Sequence, residues 1–217
     1  MEWIFLNKFH QDWISILIFS NLFLLSLTKW RYDRKFTSFF KSIDPSIYFN
    51  NYGNNFFFNR LFGVSILIFS ILNVSLYLVF ILNSHGFLKL DLYHFCILFS
   101  FLILIGFLSY LINSFVGGLL KIKRETLVYN FNNLRSLFRF SIFIFVILSI
   151  HHFYFINTFT FLKITFLCLV VLYYINSIRI VHTFLGNIKR GKFYLILYLC
   201  TLKFTPWVFI YWFFINV

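Results

Sequence analysis

The sequence predicts an all-α fold, a polytopic transmembrane bundle of about six helices with interfacial cytoplasmic connecting segments, and three observations predict it. Of its 217 residues, 61% are hydrophobic and 12% are charged, whereas a soluble domain carries about 25% charged residues. The apolar residues fall into runs close to the ~20 that a helix needs to cross about 30 Å of hydrocarbon. The basic residues gather between those runs. This composition would leave a soluble protein with a greasy exterior, which is what a lipid-facing exterior requires.

The six spans are read at 12–28, 61–83, 92–120, 138–156, 161–181 and 193–214, within one integral-membrane domain 1–217. The first is short, and a tilted or shared end accommodates it. The apolar run Trp13–Leu27 leads into a basic cluster rather than a small-residue cleavage site. The first helix is therefore expected to insert the chain itself. Phe supplies 36 residues and Ala none, with 8 Gly and 2 Pro. Phe, Ile, Asn and Lys have AT-rich codons, so genome bias accounts for part of the Phe excess.

Two connections are too long and too aromatic for plain loops. Segment 36–60 reads FTSFFKSIDPSIYFNNYGNNFFFNR, and segment 121–137 reads KIKRETLVYNFNNLRSL. Both interleave aromatics with Asn, Ser and basic residues. They are too polar to span and apolar enough to lie in the headgroup layer. Tyr48, Phe49, Tyr52, Tyr129 and Phe131 are their candidate partner-binding aromatics. A lipid anchor of Tyr, Phe and Lys is the competing reading.

Charge sets the expected orientation. Lys29, Arg31, Arg34, Lys35, Lys41, Arg60, Lys121, Lys123, Arg124, Arg135, Arg139, Arg179, Lys189, Arg190 and Lys192 belong to alternate connections, hence to one face. The other face has Lys8, Lys89 and Lys163. Under the positive-inside rule, fifteen against three puts the rich face in the cytoplasm and both termini outside. The net charge of +13 is thus topogenic and suited to anionic headgroups rather than to nucleic acid.

Groups that could carry chemistry are sparse. The six acidic residues, Glu2, Asp12, Asp33, Asp44, Asp91 and Glu125, form no i, i+3 or i+4 pair, so paired-carboxylate catalysis has no support. There is no P-loop, GxSxG or HExxH. Cys96, Cys168 and Cys200 lie inside apolar runs and read as small fillers. His10 and His85 lie in outer segments and His94, His151 and His152 toward the outer face, with His182 elsewhere. Adjacent helical residues diverge by about 100°, so His151 and His152 make no natural bidentate site, and no metal or other cofactor is expected. Asn73, Asn113 and Asn176 read as ties between helices, and Gly117 and Gly118 as points of close approach. Lys203 is the anomaly, ten residues into the sixth span. A lysine there costs about 2.5–3.5 kcal/mol to insert and must find acceptors. An ion, substrate or partner contact competes with satisfaction by carbonyls freed at Pro206.

Two stretches carry a resemblance: KFYLILYLCTLKFTPWVFIYW from Lys192 to Trp212, and YNFNNLRSLFRF from Tyr129 to Phe140 after a long third helix. Together they resemble the multi-pass membrane family catalogued as domain of unknown function 4271, found in Bacteroidota. The resemblance covers most of the chain, and its most specific piece is LYLCTL before Pro206. It implies the inner membrane of a Gram-negative, AT-rich organism and brings no established catalytic residue. Lys203 departs from the acidic residue of the family pattern, which speaks against a fixed proton-carrying carboxylate there.

The resulting expectation is a non-enzymatic inner-membrane subunit or assembly factor of an envelope or protein-export complex, partnered by other membrane subunits and the bilayer. The alternative is a small transporter or lipid-modifying membrane enzyme that uses Lys203 and the outer-face histidines.

Overall fold

A computed structural model of the chain describes residues 12–41, 60–84, 86–119, 123–154 and 159–187. All regular structure among them is helical: α1 Asp12–Arg31, α2 Asp33–Lys41, α3 Arg60–Ser84, α4 Leu92–Leu119, α5 Lys123–Tyr154 and α6 Phe159–Asn187. All except α2 are long and apolar enough to cross a membrane. The chain is a polytopic membrane protein.

The termini of these helices follow from local chemistry. α1 has Asp12 in its first turn and Lys29 and Arg31 in its last, each opposite in sign to the helix dipole it meets. Only Tyr32 separates α1 from α2. The amide of Tyr32 still donates to Thr28 O at 3.1 Å and that of Phe36 to Tyr32 O at 2.8 Å, so the two helices are nearly continuous. α3 stops at Gly86, whose φ of 77° lies in the left-handed region. There Phe87 N donates to Leu82 O and Gly86 N to Asn83 O, both at 3.0 Å. That pair of bonds is the Schellman cap, which satisfies carbonyls that a helix end would otherwise orphan.

In the first long connection residues 36–41 are helical, the end of α2. The structure departs from the sequence reading at the second. Residues 123–137, read as an interfacial segment, are the first half of the 32-residue helix α5 and run unbroken into the span read from 138. The physical reason lies in the spacing. Phe131, Phe138 and Phe145 recur every seven residues, as do Leu134, Ser141 and Leu148. One helical face therefore continues across the supposed boundary. α6 also outruns its reading of 161–181 at both ends. Residues 42–59 and the sixth span at 193–214 lie outside the described residues.

α3 is the axis of the bundle, touching α1, α4, α5 and α6. Two clusters make its core. One joins Ile14 and Ile18 of α1 to Leu76, Val79 and Phe80 of α3, Phe95 of α4, Leu148 of α5 and Leu162 of α6. The other joins Phe39 of α2 to Phe62, Ile66 and Phe69 of α3 and to Phe131 and Phe138 of α5. In that second cluster Phe39 meets Phe62 and Phe131 edge-to-face, at 5.7 and 5.5 Å between centroids. Lipid tails are as apolar as these rings, so the gain is close packing rather than escape from water; edge-to-face pairs add about 0.5–1.5 kcal/mol each.

Candidate functional site

Side-chain contacts fix the direction of each helix and define two ends. Phe69–Phe138 and Phe80–His151 make α3 and α5 parallel. Asn113–Asn130 with Gly117–Thr126 sets α4 antiparallel to α5, Asn176–Ser136 with Tyr173–Phe140 sets α6 antiparallel to it, and Ser15–His152 with Phe36–Phe138 does the same for α1 and the nearly continuous α2. One end therefore gathers the start of α1, the end of α3, the start of α4, the end of α5 and the start of α6. The other gathers α2 and the opposite termini.

The first end holds His94, His151 and His152. His152 Nε2 lies 2.8 Å from Ser15 Oγ, tying α5 to α1. His151 is buried, edge-on to Phe80 at 5.4 Å and stacked on Phe161 at 6.5 Å. Its Nδ1 and that of His94 are buried without a hydrogen-bond partner. The histidines read from the sequence as outer-face residues do gather at one end, and there His151 is part of the interior. Its period with Ser141, Ile144 and Leu148 was the signal, since the four share the buried face of α5. Nearby, Tyr77 OH lies 2.9 Å from Thr165 Oγ1, joining α3 to α6. Among the described residues, no three His, Cys, Asp or Glu side chains form a metal-holding group.

The second end is polar and basic. α5 presents Asn130 to α4, where Asn113 Nδ2 donates to Asn130 Oδ1 at 3.1 Å. It presents Ser136 to α6, where Asn176 Nδ2 donates to Ser136 Oγ. Gly117 of α4 meets Thr126 of α5 so closely that an added Cβ would lie 2.8 Å from Thr126 Cβ. Gly118 has open space instead. Asn113 and Asn176 are thus the inter-helix ties expected of them, but Asn73 is not. Its Nδ2 donates to Phe69 O of its own helix at 2.8 Å.

Arg135 is the residue that sequence reasoning missed. Its position between two spans counts it among loop charges, yet only 4% of it is exposed. At 1.5 Å per residue it sits roughly 29 Å from the Tyr154 end of α5, near the far edge of the hydrocarbon layer. Arg139, one turn on, donates from Nη2 to Phe40 O at 3.3 Å. That carbonyl belongs to the last turn of α2, where a helix carries partial negative charge.

The candidate partner aromatics divide. Tyr129 and Phe131 are buried, Phe131 within the aromatic cluster around Phe39, so neither lies on an open face. Burial follows from the same helical continuity that removed the interfacial segment. Tyr48, Phe49, Tyr52 and Lys203 lie outside the described residues, as do His10, His85 and Cys200. Cys96 and Cys168 are free and exposed.

The family model described as Domain of unknown function (DUF4271) matches residues 14–214, and the chain belongs to that family. No curated protein and no solved structure matches it.

Proposed function

We propose, with membership of this family as the premise, that the chain is a non-enzymatic subunit or assembly factor of an envelope or protein-export complex. It would sit in the inner membrane of a Bacteroidota cell, with the histidine end and both termini periplasmic. One observation carries this reading. Among the described residues the side-chain bonds between helices are spread over different pairs: α1–α5 at Ser15–His152, α3–α5 at Ser141–Ser70, α3–α6 at Tyr77–Thr165, α4–α5 at Asn113–Asn130 and α5–α6 at Asn176–Ser136. Catalysis needs polar groups converging on one reacting atom. Dispersed ties suit a member whose work is to hold a shape and present helical faces to neighbours. The orientation rests on charge: Lys29, Arg31, Arg34 and Lys35 share the α2 end with Arg124, Arg135 and Arg139, while Lys89 and Lys163 lie at the other.

The exposed thiols supply the test. Cys96 and Cys168 lie on the outward faces of α4 and α6. A short thiol cross-linker applied to intact membranes, followed by mass spectrometry, should capture one recurring membrane partner through one of them. Gentle detergent extraction should then yield a hetero-complex. Extraction as a bare monomer or dimer, with cross-links to copies of itself alone, would overturn the proposal.

The alternative, a transporter or lipid-modifying enzyme, is favoured by the unpartnered Nδ1 of buried His151. His151→Phe keeps the aromatic packing and removes the nitrogen. Loss of complementation by a normally inserted His151→Phe protein would favour that alternative.

A further inference from the structure

We infer that the junction of α1 and α2 is a binding site for the phosphate of an anionic phospholipid, formed by Arg31 and Lys35 around Tyr32 with Trp30 and Arg34 at its side. This inference stands on the membrane-spanning fold and is independent of the proposed subunit role.

Depth is the first argument. α1 has 20 residues from Asp12 to Arg31. At 1.5 Å per residue it covers about 29 Å, the thickness of the hydrocarbon layer. Arg31 therefore emerges where lipid phosphates lie. Trp30 is 84% exposed beside it, as an indole of the interfacial aromatic belt would be.

Charge is the second. The Arg31 guanidinium carbon lies 5.8 Å and the Lys35 ammonium nitrogen 5.9 Å from the centroid of the Tyr32 ring. One ring thus gathers two cations, which repel each other unless an anion joins them. The ring itself is held edge-to-face by Phe62 at 5.6 Å, so the pair is positioned rather than free to disperse. Asp33 cannot neutralise them, because residues two apart on a helix face opposite ways, and Thr37 Oγ1 donates to the Asp33 carbonyl and approaches its Oδ1 at 3.5 Å. Because the helical hydrogen bonding continues through Tyr32, Trp30 and Arg34 form one i, i+4 pair and Arg31 and Lys35 the adjacent one. The four cover a single outward sector, while Phe36 and Phe39 pack inward. A phosphate between Arg31 and Lys35, with its acyl chains lying along α1, satisfies both the charge and the depth.

The experiment titrates the detergent-solubilised full chain with phosphatidylglycerol, phosphatidylcholine or inorganic phosphate and follows thermal unfolding. Phosphatidylglycerol should raise the melting temperature saturably, and the other two should not. The Arg31→Gln/Lys35→Gln protein should bind phosphatidylglycerol about 10- to 30-fold more weakly, from roughly 1 kcal/mol for each basic residue near a headgroup. Lys89→Gln/Lys163→Gln, which removes equal charge at the other end, should bind as the unaltered protein does. Equal stabilisation by phosphatidylcholine, full reproduction of the effect by inorganic phosphate, or unchanged affinity in Arg31→Gln/Lys35→Gln would each overturn the inference. Should that double variant fail to fold, Arg31→Lys/Lys35→Arg keeps both charges, and loss of binding in it without loss of folding would overturn it equally.

Discussion

α3 and α4 are adjacent in the chain, similar in length and almost uniformly apolar, yet they occupy opposite situations. α3 buries Phe62, Ile66, Phe69, Leu76, Val79 and Phe80 and is surrounded by other helices. α4 buries Phe95 and Gly117 and leaves Ile97, Phe101, Leu104, Phe107, Leu111 and Phe115 exposed. Apolarity does not separate them. What does is where the polar groups lie: Ser70, Asn73 and Ser75 of α3 are buried and each donates to a carbonyl of its own helix, whereas Ser100 and Ser114 of α4 are exposed. In water, apolar residues mark the inside. In lipid both sides are apolar, so small and polar groups mark it, because they cannot face hydrocarbon cheaply.

The largest effect should come from setting a core ring of α3 against a surface ring of α4. Phe69 is 1% exposed and Phe107 is 59% exposed. Phe69→Ala opens a cavity and should cost about 3 kcal/mol, while Phe107→Ala should stay within about 0.5 kcal/mol. Denaturant unfolding in mixed micelles measures both. Equal losses would mean that α4 is covered by protein in the native assembly, which collapses the contrast.

A smaller effect should come from α4 alone. Gly117→Ala forces a methyl group onto Thr126, with an added Cβ 2.8 Å from Thr126 Cβ. Overpacking of this kind costs about 1–3 kcal/mol. Gly118→Ala enters open space and should be neutral or stabilising by up to about 1 kcal/mol, since Ala is the better helix former. The same measurement checks both, and a reversed order would move the α4–α5 crossing away from Gly117.

The same contrast explains what was legible in the sequence. Long apolar runs were enough to find α3 and α4 to within a residue or two. The start of α5 was not found, because its Asn, Arg and Tyr residues look like a headgroup segment by composition. Only the seven-residue recurrence through Phe131, Phe138 and Phe145 reveals one helix. Arg135 was unreadable for a related reason. A basic residue between spans counts as a loop charge until the helix carrying it is known to extend through it. The pairing of Arg31 and Lys35 on Tyr32 was hidden too, since it depends on helical bonding continuing past Arg31, where the apolar run ends.

The smallest effect concerns the polar ties, and it decides what kind of glue holds α4 and α6 to the core. α6 buries Leu162 and few other side chains, and its bond from Asn176 to Ser136 joins it to α5. Intuition assigns such a bond a large energy, because hydrocarbon offers an unpaired amide nothing. The unfolded chain in a membrane finds other partners, however, so measured couplings average about 0.6 kcal/mol. A double-mutant cycle of Asn176→Leu and Ser136→Ala should therefore return a coupling near that value, well below the loss from Phe69→Ala. The Tyr173 ring, 5.8 Å from Phe140, continues to hold the helices when the bond is gone, so each single variant should remain folded and inserted. A coupling above about 2 kcal/mol would show that hydrogen bonding rather than ring packing anchors α6. The rule drawn from α3, that polar groups mark the interior without supplying most of its cohesion, would then fail at the helix with the least buried surface.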